Sequence, residues 1–270
     1  MAGAATTGFS WLSLFSAAFS GAVVAKTFEI IYTEVRRRAD RKQSAAKFLD
    51  SHIDPLLKAA DEVVGKLHSL ATEDFKSLTG RNLTLVKLDD NDFGSLLFLF
   101  ARLWAHVEII RQEGLSIALG TDPRGAQLQG FLSCLESRQV RIVDRIAQRA
   151  VGELLIKPSI GSPQIMGYVD FVRMVEGGEE ARRWLTPLAN SLLQTQHTRI
   201  RQQLLQYGIV VHALIDTLDP KHSVTKDRPS YPNKLSIRTK RGLHYRVFKI
   251  YLPFVPNRRK YIQEIKKKRS

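Results

Sequence analysis

The side chains best suited to chemistry are few and widely separated. His212 and Asp216 stand four residues apart in HALID, so on a helix they share one face and can hydrogen-bond or flank a ligand. Glu108 and Glu153 lie in other apolar, helix-like stretches, and with His212 and Asp216 they could line a carboxylate/histidine pocket. The competing reading makes these four, with His106 and Asp170, satisfied polar groups inside a helical core, Glu108 pairing with Arg111 at i,i+3. Established catalytic signatures are missing: no G-x-S-x-G, no H-E-x-x-H and no Glu-x-x-His pair of the di-iron kind. The run Gly21-Ala-Val-Val-Ala-Lys26-Thr27 mimics half of a phosphate loop but lacks the glycine that lets backbone N–H groups cradle phosphate. A single cysteine, Cys134, excludes an intramolecular disulfide and a cysteine-rich zinc site. No catalytic residue, metal or cofactor is therefore assigned, and the chain reads as non-enzymatic.

Charge is the stronger signal. The net formal charge is +15, and residues 221–270 hold sixteen Lys or Arg against two acids, leaving residues 1–220 close to neutral. An appended electrostatic contact surface has this distribution. The candidate lipid- or phosphate-binding cations are Arg238, Lys240, Arg241, Arg246, Lys249, Arg258, Arg259, Lys260, Lys266, Lys267, Lys268 and Arg269, interleaved with Tyr245, Phe248, Tyr251, Phe254 and Tyr261. Cations with aromatics suit an anionic membrane surface, where each cation contributes about 1 kcal/mol. They also suit nucleic acid, where phosphates are neutralised and bases stack.

The elements that would position these groups begin with an uncharged run from Phe9 to Ala25, whose apolar character resumes to Tyr32. Trp11 and Tyr32 are separated by about 31 Å of helix, close to the hydrocarbon thickness of a bilayer, at the two places aromatic belts favour. No cation precedes the run, which argues against a cleaved signal. Lys26, Arg36, Arg37, Arg38, Arg41 and Lys42 follow it, which orients the N-terminus outside and the body in the cytoplasm of a bacterial inner membrane. Ser13, Ala17, Gly21 and Ala25 recur every four residues, a small-residue stripe suited to helix–helix contact and a homo-oligomer.

The expected organisation is mainly α: a membrane anchor over 1–35, a helical bundle over 36–220 and a basic C-terminal segment over 221–270. In the bundle, Ile53, Leu56, Leu57, Ala60, Val63, Val64 and Leu67 mark one helix face. An apolar helix should end at Gly114, a long one should span about 126–156, and a central one 199–218. In the basic segment, β-branched and aromatic residues around Arg241–Gly242 suggest a small hairpin.

FLFARLWAHVEIIRQE, AVGELLI, GYVDF and ALIDTLDP resemble segments of uncharacterised bacterial helical proteins, over roughly residues 95–220. The resemblance implies a bacterial helical domain and brings no activity with it. The sequence thus points to a membrane-anchored interaction or scaffold protein whose basic tail meets anionic lipid. A membrane-tethered nucleic-acid binder and an enzyme with a pocket at Glu108, Glu153, His212 and Asp216 are the other two readings.

Overall fold

The computed structural model describes residues 11–78, 85, 88, 91–157, 159 and 163–263, and for residues 11–24, 91 and 232 the backbone alone. The protein is mainly α. Helix α1, Trp11–Thr72, is continuous through Pro55. Its second half carries the expected apolar face: Ile53, Leu56, Leu57, Ala60, Val63, Val64 and Leu67 are all buried. Its first half differs, because no residue from 25 to 44 is buried, whereas Ala45 is. Phe28, Ile30, Ile31, Tyr32 and Val35 stand exposed on it. Of the small-residue stripe, Ala25 is exposed; the side chains of Ser13, Ala17 and Gly21 lie outside the described residues.

α2, Asn91–Glu113, is apolar nearly all round and packs on α1 and on α4, Arg145–Leu154. Among the described residues one helix, Asp92–Ser116, is long and apolar enough to cross a membrane, and 78% of its apolar 18-residue stretch is buried inside the protein. That burial marks a core helix. Its Trp104 indole N–H donates to Tyr207 Oη at 2.8 Å, so both large aromatics are buried with their polar atoms satisfied.

The long helix expected over 126–156 is two helices, α3, Pro123–Leu135, and α4. Asp144 breaks the run by accepting from the backbone N–H of Ile146 at 2.9 Å and so capping α4. A two-residue antiparallel ladder pairs Ile156 with Ile165 and Lys157 with Gln164. α5, Tyr168–Gly177, and α6, Glu179–Leu193, follow, the latter running through Pro187. α7, Thr198–Leu218, is buried from Tyr207 to Ile215 and packs on α1 and α3.

Among the described residues of the C-terminal segment the stretch around Arg241–Gly242 is helical and forms no hairpin. α8, Ile237–Gly242, leads into a π-helix over Leu243–Tyr251, and α9 covers Arg259–Ile262. Leu243, Val247, Phe248 and Leu252 are buried. Their spacing of four to five suits a wide helical turn, whereas a strand would need alternation. The segment also belongs to the core: Tyr231, Leu235, Val255, Tyr261 and Ile262 join the same hydrophobic cluster as α1, α2 and α7. Arg228 grips Asp61 of α1 through two hydrogen bonds of 2.8 and 3.1 Å, and Lys234 pairs with Asp74 at 3.0 Å.

Candidate functional site

His212 and Asp216 do share a face of α7. His212 Nε2 lies 3.6 Å from Asp216 Oδ1, with His212 only 2% exposed. Burial lowers the His212 pKa to about 4, against the opposing pull of Asp216, so the ring is neutral at pH 7. Asp216 is the hub of the cluster. Tyr261 Oη donates to its Oδ2, Lys260 Nζ reaches the same oxygen at 2.8 Å, and His222 Nε2 stands 3.6 Å from Oδ1. Lys260 also faces Asp227 at 3.8 Å. A carboxylate so engaged ties the C-terminal segment onto α7.

Glu108 and Glu153 belong elsewhere. Glu108, 5% exposed, accepts from Arg111 at 2.6 Å, the pairing expected of an i,i+3 couple. Arg111 also reaches Glu136, which Arg149 contacts at 3.2 and 3.1 Å. Arg149 is held protonated by Glu136 first, with Glu108 and Glu153 adding to it. Glu153 itself is exposed. The four residues of the expected pocket thus divide between two networks, one around Arg149 and one around Asp216. Of the remaining polar pair, Asp170 meets Lys157 at 2.6 Å on the surface. Among the described residues no group of three or more His, Cys, Asp or Glu side chains is arranged to hold a metal ion.

His106 lines a separate cavity of about 730 Å³ together with His52, Arg102, Glu113 and Tyr168. His52 Nε2 sits 2.9 Å from Glu113 Oε2, while its Nδ1 contacts Phe48 O and Ser51 Oγ, both at 2.9 Å. Arg102 is occupied by Glu62 at 2.7 Å. Burial lowers the His106 pKa to about 4. Within this cavity His52 and Glu113 are thus committed to each other, and Arg102 to a carboxylate outside it.

The basic segment is where geometry and charge coincide. Arg238, Arg241 and Arg246 line a cleft of about 1210 Å³, and the fold brings Arg138 and Arg199 to the same space. Among the described residues no acidic side chain lines it. Among the described residues none of the five guanidiniums forms an ion pair; Arg246 makes only a 3.4 Å bond to Gln139 Oε1. Elsewhere the protein pairs its arginines readily, as at Arg38–Glu34, Arg102–Glu62, Arg124–Asp50 and Arg228–Asp61.

Three glutamines of α7 build this cleft. Gln202 Nε2 donates to Lys234 O at 2.9 Å and its Oε1 accepts from Ser236 N at 2.7 Å, fixing the chain just before α8. Gln203 Nε2 donates to Arg141 O at 2.6 Å and Gln206 Nε2 to Gln139 O at 2.7 Å, fixing the turn that carries Arg138. The Ser236 hydroxyl then caps α8 through Thr239 N at 3.2 Å. Both walls of the cleft hang from one helix.

The other expected cations are placed differently. Lys240 is half-buried and Lys249 exposed, and neither lines the cleft. Arg258 donates to the carbonyls of Val255 and Pro253, Lys260 is engaged by Asp216, and Arg259 is exposed. Lys266, Lys267, Lys268 and Arg269 lie outside the described residues. Of the interleaved aromatics, Phe248 and Tyr261 are core, Phe254 packs edge-on against Phe131, and Tyr245 is the one that is both exposed and at the cleft.

The segments that suggested a resemblance have structural work to do. A Cβ on Gly152 would lie 2.7 Å from Trp104 O, so this glycine sets the approach of α4 to α2. Tyr168 and Phe171 pack on Phe98 of α2 at ring separations of 5.4 and 5.5 Å. Asp219, closing ALIDTLDP, accepts from the backbone N–H groups of Ser223, Val224 and Thr225 at 2.8, 3.0 and 3.0 Å. Burial pushes its pKa up, and these bonds overcome that and hold the carboxyl well below the usual carboxylate range. No family model, curated protein or solved structure matches the chain, so its function rests on its own side chains.

Proposed function

We propose that this chain is a single-pass, membrane-anchored helical interaction module, with its N-terminus outside, its body on the cytoplasmic side and an anion-binding cleft on that body. Residues 9–32 are the anchor, and self-association through the small-residue stripe would bring two bodies together. The observation that carries this reading is the first half of α1. It continues as helix about 50 Å from Trp11 to Ala45 and exposes Phe28, Ile30, Ile31 and Tyr32. Large apolar side chains on a helix without a packing partner mark a contact with lipid or protein. Arg36, Arg37, Arg38, Arg41 and Lys42, all exposed, follow directly and suit the inner-leaflet headgroups.

Fractionation with protease protection tests the anchor. The reading expects the full chain in the membrane pellet after detergent-free lysis, resistant to carbonate extraction, its body digested only from the cytoplasmic side. Recovery of the chain in the soluble fraction would overturn it. A membrane-tethered nucleic-acid binder is the second reading, favoured by the five unpaired arginines beside Tyr245.

A further inference from the structure

We infer that the arginine-lined cleft is the binding site of a water-soluble small molecule carrying two or more neighbouring phosphate groups. Four observations combine. The cleft concentrates Arg138, Arg199, Arg238, Arg241 and Arg246, and among the described residues no acidic side chain lines it. Bringing five permanent cations together without counter-charges is unfavourable, and an anion relieves it. Guanidinium groups match phosphate oxygens in bidentate geometry, which suits Arg better than Lys, and among the described residues no lysine lines the cleft. The walls are held by the hydrogen bonds of Gln202, Gln203 and Gln206, so the arginines stand on fixed backbone. The volume, about 1210 Å³, is slightly above the roughly 300–1,000 Å³ of ordinary small-ligand sites, with room for the ligand and its water.

A lipid headgroup offers the same phosphate chemistry, and position along the fold decides against it. Gln202, which lines the cleft, also lines a smaller pocket with Ala71, Asp74 and Phe75, at and just beyond the C-terminal end of α1. Lys234 binds Asp74 there, two residues before Ser236 of the cleft. The body begins on α1 at Ala45, about 40 Å of helix away. With the anchor at the N-terminal end of α1, the cleft opens at the end of the body remote from that membrane. This choice of source rests on the anchor reading proposed above; the phosphate chemistry does not.

The test is calorimetric titration of inorganic tripolyphosphate into the full chain, reconstituted in neutral phosphatidylcholine nanodiscs and in discs containing phosphatidylglycerol. Expected are binding much tighter than that of sulfate and the same affinity in both discs. R199A/R241A should weaken binding about a hundredfold, roughly tenfold for each charged hydrogen-bonding partner lost. R145A/R183A, removing two exposed arginines outside the cleft, should leave it unchanged. All four are surface positions, so the melting temperatures should match that of the parent chain. Binding no tighter than that of sulfate would overturn the proposal, as would equal losses in the two double variants. Suppression by phosphatidylglycerol would make the site a headgroup site. Single-stranded RNA binding lost in R199A/R241A, without tripolyphosphate binding, would make it a nucleic-acid groove; either contradicts the proposal. A chain found soluble in fractionation is titrated without discs, so failure of the anchor and failure of the phosphate site are read separately.

Discussion

Replacing Gln202 by alanine should loosen one wall of the cleft and cost more stability than the same change at either neighbouring glutamine. Gln202 makes two hydrogen bonds to backbone, to Lys234 O and from Ser236 N, at 2.9 and 2.7 Å. Gln203 and Gln206 make one each, at 2.6 and 2.7 Å. A net hydrogen bond is worth about 1 kcal/mol, more where a part-buried backbone group is left without a partner. Alanine gains back a few tenths in helix propensity. The expected losses are therefore about 2 kcal/mol for Q202A and about 1 kcal/mol for Q203A and for Q206A. Urea denaturation followed by circular dichroism measures this, as a lower midpoint at unchanged slope. The reasoning is refuted if Q202A lies within about 0.5 kcal/mol of the parent chain, the range of an ordinary surface substitution, or if Q206A costs more than Q202A.

Three further outcomes follow from the packing and the charges. G152A should force α4 away from α2, since its Cβ would meet Trp104 O at 2.7 Å; overpacking of this kind costs about 1–3 kcal/mol, read as a drop in urea midpoint. D219A should cost about 2–3 kcal/mol, because it strips the acceptor from three backbone N–H groups, and D219N should recover part of that. Acid should destabilise the fold through His212, whose folded pKa of about 4 lies below the unfolded value of about 6.5. Across that window the unfolded chain binds the proton and the folded one does not, so stability falls as pH falls from 6.5 towards 4, by at most about 3 kcal/mol. The same urea midpoints at pH 7, 6 and 5 should show a shallower decline in H212Q, whose uncharged amide does not titrate.

Helical patterning was readable wherever one face is apolar, as along Ile53 to Leu67 of α1. It misled where two short helices follow one another in phase. Residues 126–156 carry apolar side chains on both sides of the turn, and only Asp144, acting as a cap, marks the break. The hairpin expected near Gly242 came from β-branched and aromatic composition, while the spacing of Leu243, Val247, Phe248 and Leu252 was the better guide. The basic residues of the last fifty were visible, but their division was not. Lys260 is taken up by Asp216 and Arg258 by carbonyls, and such pairings arise only from tertiary contact. Arg138 and Arg199 joined the site from distant positions in the chain. One signal was available in retrospect: Gln202, Gln203 and Gln206 put three amides within five residues of α7, and a half-buried amide needs a partner to hold.

With the proposed anchor at one end of α1 and the proposed phosphate-binding cleft at the other, one distance tests the arrangement. Cys134 is fully buried with its thiol pushed up to about 12, so a cysteine introduced as R241C can be labelled selectively. Energy transfer from that label to headgroup-labelled lipid, with the chain in nanodiscs, should report a separation of about 40 Å or more. Transfer efficient enough to put the label among the headgroups would contradict the account.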